Sequence, residues 1–327
     1  MLIFKGTHRQ IGLQIGECFK NQIDEYLSVV KSFFEPGIDI NSIVNRIAVQ
    51  YPNIYSELIG IARGSGNLIS DILLLDEESF TDNLYANKCT TFAFNEDDNF
   101  IRYSGLAHNE DWNRGSEKFI HIARFEPNNE RPFISIFYTG LPGSSFILNE
   151  RLAISGNSMS IEKPYFGIPK SIFMRDLCNC ISIYDVAQKI KDFSFNISCH
   201  IMAVQAREVL SAEVVALRKK SLLFTEAPIA HTNHALFPDI QFIERQFVKN
   251  KKRIENSEKR LSFIRKNTNN DDKKSLEQIK TLLKNKIVCR SSGKIQTISS
   301  VIAYPYARQI HYTIGSPNKN DYKEESL

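Results

Sequence analysis

Through the first 88 residues the apolar positions recur at helical spacing. Ile15, Phe19, Ile23, Leu27 and Val30 fall three or four residues apart, which lines one face of a helix, and Thr7 with Gln10 supplies a capping box at its start. Gly12 and Gly16 sit four apart on that helix. Two absent side chains there predict the close approach of another element, despite the propensity cost of glycine. A second periodic stretch runs over about 41–63 and a third over about 70–85, with Ser70 as N-cap. Residues 1–88 read as a helical segment.

At residue 89 the pattern changes to strands. Residues 89–95 and 100–106 flank the polar turn 96–99 and predict a hairpin; 118–125 and 132–140 predict the next pair, and 146–161 two more strands. Helices follow at 166–178 and 182–193, the latter with Ser182 and Asp185 at capping-box spacing. Strands return at 199–205, 208–217 and 221–227, helices at about 239–266 and 272–286, and a final strand pair at 297–306 and 309–315. The last dozen residues are polar and are expected to fray. This order predicts an α+β fold of antiparallel sheets covered by helices, in four layers, rather than a Rossmann alternation. The glycine patterns of dinucleotide and phosphate loops are missing.

Composition narrows the class. With 42% hydrophobic and 24% charged residues among 327, the chain is neither disordered nor fibrous, and it is long enough for a large core. No apolar run approaches the roughly 18–20 residues of a membrane span. The start lacks the basic and apolar regions of a signal peptide, so a cytoplasmic location is expected. Six scattered cysteines do not form a disulfide framework, and no paired Cys/His spacing suggests structural zinc. The net charge of +4 is uneven: residues 244–286 carry fourteen basic and six acidic groups.

The helix-to-strand boundary at Asn87-Lys88-Cys89-Thr90-Thr91 carries a chemical possibility. Cleavage of the Lys88–Cys89 bond would leave Cys89 with a thiol and a free α-amine, whose reference pKa of about 7.7–8.0 suits a general base near neutral pH. Asn109, Glu110, Asp111 and the single tryptophan, Trp112, follow the second strand. Asn233, between Thr232 and His234, offers an amide to an oxyanion, and Arg290, Lys294 and Arg308 surround the last strands as candidates to orient a carboxylate or the nucleophile.

Eight stretches stand in order over about residues 5–317: KGTHRQIGLQIG, YPNIYSELIGIARGSG, KCTTFAF, SGLAHNEDW, GIPKSIFMRDLC, AHTNHAL, the Ser257/Arg260 pair in IENSEKRLSFI, and TISSVIAYPYARQIHYTIGSP. Together they resemble the acyl-coenzyme A:6-aminopenicillanate (isopenicillin N) acyltransferase family of N-terminal nucleophile (Ntn) hydrolases. The resemblance implies an αββα fold, self-cleavage between Lys88 and Cys89, and an acyl-cysteine intermediate. An 88-residue α chain and a β chain of residues 89–327 would then remain associated as one domain. It implies Cys89 as nucleophile, Asp111 as the neighbouring carboxylate, Asn233 as the oxyanion amide and an arginine before the last strands, for which Arg290 is preferred over Lys294 and Arg308. Asn109, Trp112 and His234 are expected to contact substrate. Two positions depart from the family's namesake: Lys88 stands where it has glycine, and NEDW where it has Asn-Trp-Asp.

The activity so implied is hydrolysis or transfer of an acyl group at a carbon–nitrogen amide bond of a small molecule. No cofactor is expected, coenzyme A entering only as an acyl donor. Alternatives remain: an uncleaved hydrolase with Cys89 paired to His231 or His234, a non-catalytic homologue, or a polyanion-binding module built on 244–286. That basic window has acids among its lysines and no interleaved aromatics in its sharpest stretch, which favours a solvated helical face; neither nucleic acid nor membrane is expected as a partner. Two histidines three apart without a third ligand do not argue for a metal.

Overall fold

The computed structural model describes residues 1–33, 37–80, 89–96, 103–159, 161, 167–216, 218–247, 251–268 and 273–327. A short strand, β1 (Leu2–Gly6), precedes the helices and lies parallel to a later strand, so the first segment is not helical throughout. Thr7 then caps α1 (His8–Cys18) through the expected capping box with Gln10. The apolar stripe continues beyond a break at Phe19 into α2 (Lys20–Lys31), burying Ile15, Ile23, Leu27 and Val30 along one face.

The stretch 41–63 divides into α3 (Ile40–Gln50) and α4 (Pro52–Ser65). Pro52 is the cause: it fits the first turn of a helix but drives the residue before it out of helical conformation, and Tyr51 has φ −133° and ψ 60°. Gly66, at φ 79°, stops α4. The chain is already helical at Ile69, so Leu68 and not Ser70 is the N-cap of α5 (Ile69–Leu74), which α6 (Glu77–Phe80) follows.

The partner foreseen for Gly12 and Gly16 is α4, and α4 meets them with its own glycines. A methyl group at Gly12 would lie 2.0 Å from the Glu57 carbonyl oxygen, and one at Gly60 2.3 Å from that of Arg9. The backbones of α1 and α4 touch where neither has a side chain.

Strands β2 (Thr90–Asn95) and β3 (Ser104–Asn113) pair antiparallel with Thr90 opposite Asn109. The Asn109–Trp112 motif is thus inside β3 and not after it, because a later strand, Ile295–Tyr304, zips its other edge. Next come β4 (Ile120–Pro127), β5 (Phe133–Tyr138), β6 (Leu141–Asn149) and β7 (Ala153–Ser158), then α7 (Lys170–Leu177) and α8 (Ile183–Asp192). They lead to β8 (Cys199–Gln205), β9 (Glu208–Val215), β10 (Lys219–Glu226) and the short β11 (Ile229–His231). The basic region forms α9 (Pro238–Phe247), α10 (Lys251–Thr268) and α11 (Leu276–Lys284); the chain ends with β12 (Ile295–Tyr304), β13 (Gln309–Ile314) and β14 (Lys323–Ser326).

Fraying is not what the polar terminus does: Lys323–Ser326 pairs with Gln309–Tyr312 as an edge strand. Edge position reconciles its charges with β structure, since one row of backbone groups is paired while the side chains reach water.

One sheet has eight strands in the order β1-β4-β5-β6-β7-β8-β9-β10, antiparallel except for β1 with β4; the other is antiparallel and runs β11-β2-β3-β12-β13-β14. Helices α1–α5, α7 and α8 cover the first sheet through a core including Ile11, Phe125, Phe137, Phe173 and Ile201. Ala93, Leu106, Phe146, Leu148 and Val301 fill the space between the sheets, and Phe92, Phe94, Ile264, Ile279 and Leu283 the space under α10 and α11. These layers form an αββα sandwich. Among the described residues no helix is long and apolar enough to cross a membrane.

Candidate active site

Cys89 immediately precedes β2 and is 4% exposed. Continuing the β2–β3 register sets it opposite Glu110. Residues facing each other across antiparallel strands share a sheet face, whereas neighbours along a strand point to opposite faces. Glu110 therefore projects with the Cys89 thiol into the space between the sheets, and Asp111 projects toward α10. A bulge at Ile298 in β12 falls opposite this position: Thr297 pairs with Asp111 and Ser299 with Glu110.

Glu110 gathers the polar groups of the intersheet side. Its Oε1 is 3.5 Å from Cys89 Sγ and accepts from Tyr138 Oη at 3.0 Å; its Oε2 accepts from Ser145 Oγ at 2.7 Å and lies 2.9 Å from His108 Nε2. His108 Nδ1 is 2.7 Å from Thr91 Oγ1, whose own hydrogen goes to Asn157 Oδ1. His108 thus links Glu110 to Thr91 and, through Thr91, to Asn157. Burial alone would raise the Glu110 carboxyl, but the hydrogen bond and charge of His108, the Lys170 ammonium and Ser145 hold it down at about 2. Burial, reinforced by the charges of Glu110 and Asp111, pushes the Cys89 thiol well up, against the Asp111 backbone N–H and Lys170.

Arg260 organises the opposite side. It is 1% exposed, and Ser257, one turn before it on α10, is buried with it. Its Nη1 donates to the Cys89 carbonyl oxygen at 2.5 Å and to Thr90 Oγ1 at 2.9 Å, its Nη2 to Asn233 Oδ1 at 2.7 Å, and its Nε to Asn256 Oδ1 at 3.2 Å. Burial pulls its pKa to about 10, with Asp111 and Cys89 favouring the charge. Asp111 accepts from Thr297 Oγ1 at 2.6 Å, while its Oδ2 is buried without a hydrogen-bond partner among the described residues. Burial lifts it to about 7, opposed by Arg260, Thr297 and Arg290.

Asn233 donates to the Ser158 carbonyl at 2.9 Å through Nδ2, and its second amide hydrogen has no acceptor among the described residues. Trp112 is 5% exposed, lines a cavity with Glu110 and Tyr138, and its Nε1 has no partner among the described residues. Asn109 faces away from the thiol, donating to the Leu283 and Val288 carbonyls. His234 Nδ1 is 2.8 Å from Ser257 Oγ. Arg290 clasps Thr297 through its backbone, with its charge acting on Asp111; the Lys294 carbonyl accepts from the Arg114 N–H. Arg308 lies in the β12–β13 turn, at the other end of β12 from Thr297. Lys88 lies outside the described residues.

Arg260, Glu110, Tyr138 and Lys170 surround this site and were not singled out among the site residues from sequence. Arg260 had a signal in its pairing with Ser257, and Glu110 in its place within the 109–112 motif. The Cys/His pairing with His231 or His234 has no hydrogen bond to support it among the described residues: His231 Nε2 is 2.9 Å from Glu213 Oε1. The thiol, a His108 nitrogen and a Glu110 oxygen lie within 4.8 Å of one another, a donor set of metal-ligand type. In this arrangement they bond to one another, the thiol and the His108 ring both reaching the Glu110 carboxylate.

The fold is that of Ntn hydrolases. Conjugated bile acid hydrolase from Clostridium perfringens superimposes in two variant structures, with TM-scores of 0.50 and 0.51, each at 13% identity over 73% of this chain and 92% of the other. The Caenorhabditis elegans N-acylethanolamine-hydrolyzing acid amidase ortholog gives 0.49 at 11% identity over 67% of this chain and 93% of its own. Residues 96–319 match the acyl-coenzyme A:6-aminopenicillanic acid acyl-transferase family, and the chain belongs to it. Cys89 precedes the matched range. No curated protein matches the sequence.

Proposed function

We propose that the chain is a self-processing amidohydrolase or N-acyltransferase in which Cys89 is the nucleophile. One observation carries the reading: a buried cysteine at the start of a central strand has its carbonyl held by a buried arginine and its thiol 3.5 Å from the buried Glu110 carboxylate, in a chain of this family. In maturation Cys89 Sγ attacks the Lys88 carbonyl carbon; the C–N bond breaks, the amine takes up a proton, and water hydrolyses the resulting thioester. In the uncleaved chain the thiol is held protonated by burial and two carboxylates. The α-amine released by cleavage supplies a base whose reference pKa of about 7.7–8.0 is matched to neutral pH.

In turnover the freed Cys89 attacks an amide, or a thioester such as that of coenzyme A, and forms an acyl-cysteine. Asn233 stabilises the oxyanion with its remaining amide hydrogen. Arg260 orients the nucleophile and Asn233 together, the part assigned from sequence to Arg290. Asp111, fully buried beneath Arg260, is the countercharge to that arginine. Water releases an acid; an amine held in the cavity becomes the acyl acceptor.

Intact-mass analysis tests the reading. The wild-type chain of 37.5 kDa should give fragments of about 10 and 27 kDa by proportion, and Cys89→Ala should stay whole. An uncleaved wild-type chain removes the maturation step, and an active Cys89→Ala protein removes the nucleophile.

A further inference from the structure

Among the described residues the eight-stranded sheet ends in β1 on one side and β10 on the other. The two edges are not equally open. At β1 the Gln14 side chain occupies backbone groups: the Lys5 N–H donates to its Oε1 at 3.3 Å, and its Nε2 donates to the Lys5 carbonyl at 2.8 Å. The backbone of β10 pairs with no strand other than β9 among the described residues. Its side chains are also unusual for an edge, since Leu223 and Phe224 are 42% and 43% exposed. The exposed ring of Tyr184 on α8 stacks on Phe224 at 5.2 Å and widens the apolar border.

Alternation puts Lys220, Leu222, Phe224 and Glu226 on the face toward α8, and the charges at the two ends of this face are unpaired. Lys220 Nζ donates to the Lys191 and Phe193 carbonyls at 2.6 and 2.7 Å, which uses two of its three hydrogens, and it has no carboxylate partner among the described residues. Glu226 has no cation among them either. Its neighbour across the pair with β9 is a second carboxylate, Glu208, which accepts from Tyr184 Oη at 2.8 Å. Like charges directly opposite each other weaken a strand pair. Lys219, on the other face, is paired with Asp239 at 3.2 Å. One end of the edge therefore offers a cation, the other two acids, with apolar side chains between.

We propose that β10 is the contact through which two copies of this chain dimerise, edge to edge, so that the sheet continues across a two-fold axis. Opposed residues of antiparallel strands share a face, so the axis passes through a residue and not between two. With Leu223 on the axis every position is matched: Lys220 faces Glu226, Ser221 faces Thr225, Leu222 faces Phe224 and Leu223 faces itself. Centring on Leu222 would set Lys220 against Phe224, and centring on Phe224 would set Leu222 against Glu226. Symmetry makes the charge match twice, each Lys220 meeting the acids of the second copy. Joining β10 to β1 head to tail would instead add copies without end, and the Gln14 bonds at β1 oppose it. The dimer does not depend on the role assigned to Cys89.

Sedimentation velocity of the full purified chain tests the association, and cross-linking tests its register. The mass should rise from 37.5 kDa toward twice that value between about 1 and 300 µM, as expected of a small interface. Glu226→Lys, at an exposed position, sets like charges against each other twice and should raise the dissociation constant at least about tenfold. For the register, the exposed Cys18 is first replaced by serine. Leu223→Cys should then cross-link with glutathione disulfide at least about tenfold faster than Ser221→Cys, because Cα atoms facing across the axis are about 4.5–5.5 Å apart, whereas the two Ser221 positions are offset by four residues, about 13 Å. Each cross-link consumes two protein thiols and one glutathione disulfide and releases two glutathione thiols. A mass fixed at 37.5 kDa over this range, a dimer untouched by Glu226→Lys, or cross-linking as fast through Ser221→Cys as through Leu223→Cys would each overturn the proposal.

Discussion

Replacing Arg260 by methionine tests whether one buried cation holds the site together. The guanidinium makes four hydrogen bonds to three separate parts of the chain: Cys89 O and Thr90 Oγ1 at β2, Asn233 Oδ1 after β11, and Asn256 Oδ1 on α10. Methionine keeps most of the volume and leaves these acceptors without a donor. It also leaves Asp111 buried without its principal countercharge. Asp111 escapes part of that penalty by taking a proton, since burial already lifts it to about 7 and losing a cation moves it further up. The unpaired acceptors have no such escape. Breaking a buried pair by removing one partner costs about 3–5 kcal/mol, and that range is expected for Arg260→Met in urea denaturation at pH 7.

Arg260→Lys separates charge from geometry. A lysine restores the cation for Asp111, but its ammonium is a point donor that cannot span the acceptors of the planar fork. If multidentate geometry dominates, lysine recovers less than half of the lost stability and leaves chain cleavage impaired; if charge dominates, it recovers nearly all. An Arg260→Met protein within about 1 kcal/mol of wild type, with cleavage intact, would refute the organising role of this residue.

Three further outcomes follow from the same geometry. Because the folded-state pKa of Asp111 is raised from 3.8 to about 7, its contribution is fully present below the unfolded value and is lost as pH rises from about 4 to 7. At about 1.36 kcal/mol per unit that is up to about 4 kcal/mol, so Asp111→Asn should flatten the decline of stability across this window; an unchanged slope in urea midpoints against pH would contradict it. Glu110 acts in the other direction, since its depressed carboxyl, at about 2, supports stability above the ordinary carboxylate pKa and loses that contribution as pH falls toward 2; Glu110→Gln should weaken the acid-side dependence in the same series. Gly12→Ala should destabilise the protein by about 1–3 kcal/mol or more, because its methyl would sit 2.0 Å from a backbone oxygen of α4; wild-type thermal stability would show that the two helices do not meet at this contact.

Local chemistry made much of the fold legible. A capping box at Thr7 and Gln10 starts a helix wherever it is embedded, and the apolar steps from Ile15 to Val30 continue across the break at Phe19 as one buried face. Gly12 and Gly16 announced a close approach because missing side chains have that use, although their partners on α4 are some fifty residues away. The change of period at Cys89 placed the first central strand. Pro52 carries the signal for the boundary at Tyr51, whereas nothing local marks β14: charged residues become an edge strand only because β13 offers a free edge.

The candidate site divides in the same way. Cys89 at the helix-to-strand change and Asn233 as an amide in the stretch 231–234 stood out as candidates through motifs that resemble the family's. The sequence also placed Glu110 beside Asp111 without saying which of them faces the thiol. Strand pairing decided that: alternation sends Glu110 inward with Cys89 and Asp111 outward under α10, and only the β2–β3 register specifies which residue belongs to which face. The same is true of Arg260, which lies 171 residues from the carbonyl it holds. Its pairing with Ser257 marked it only by resemblance, because its burial is produced by packing α10 against the sheet.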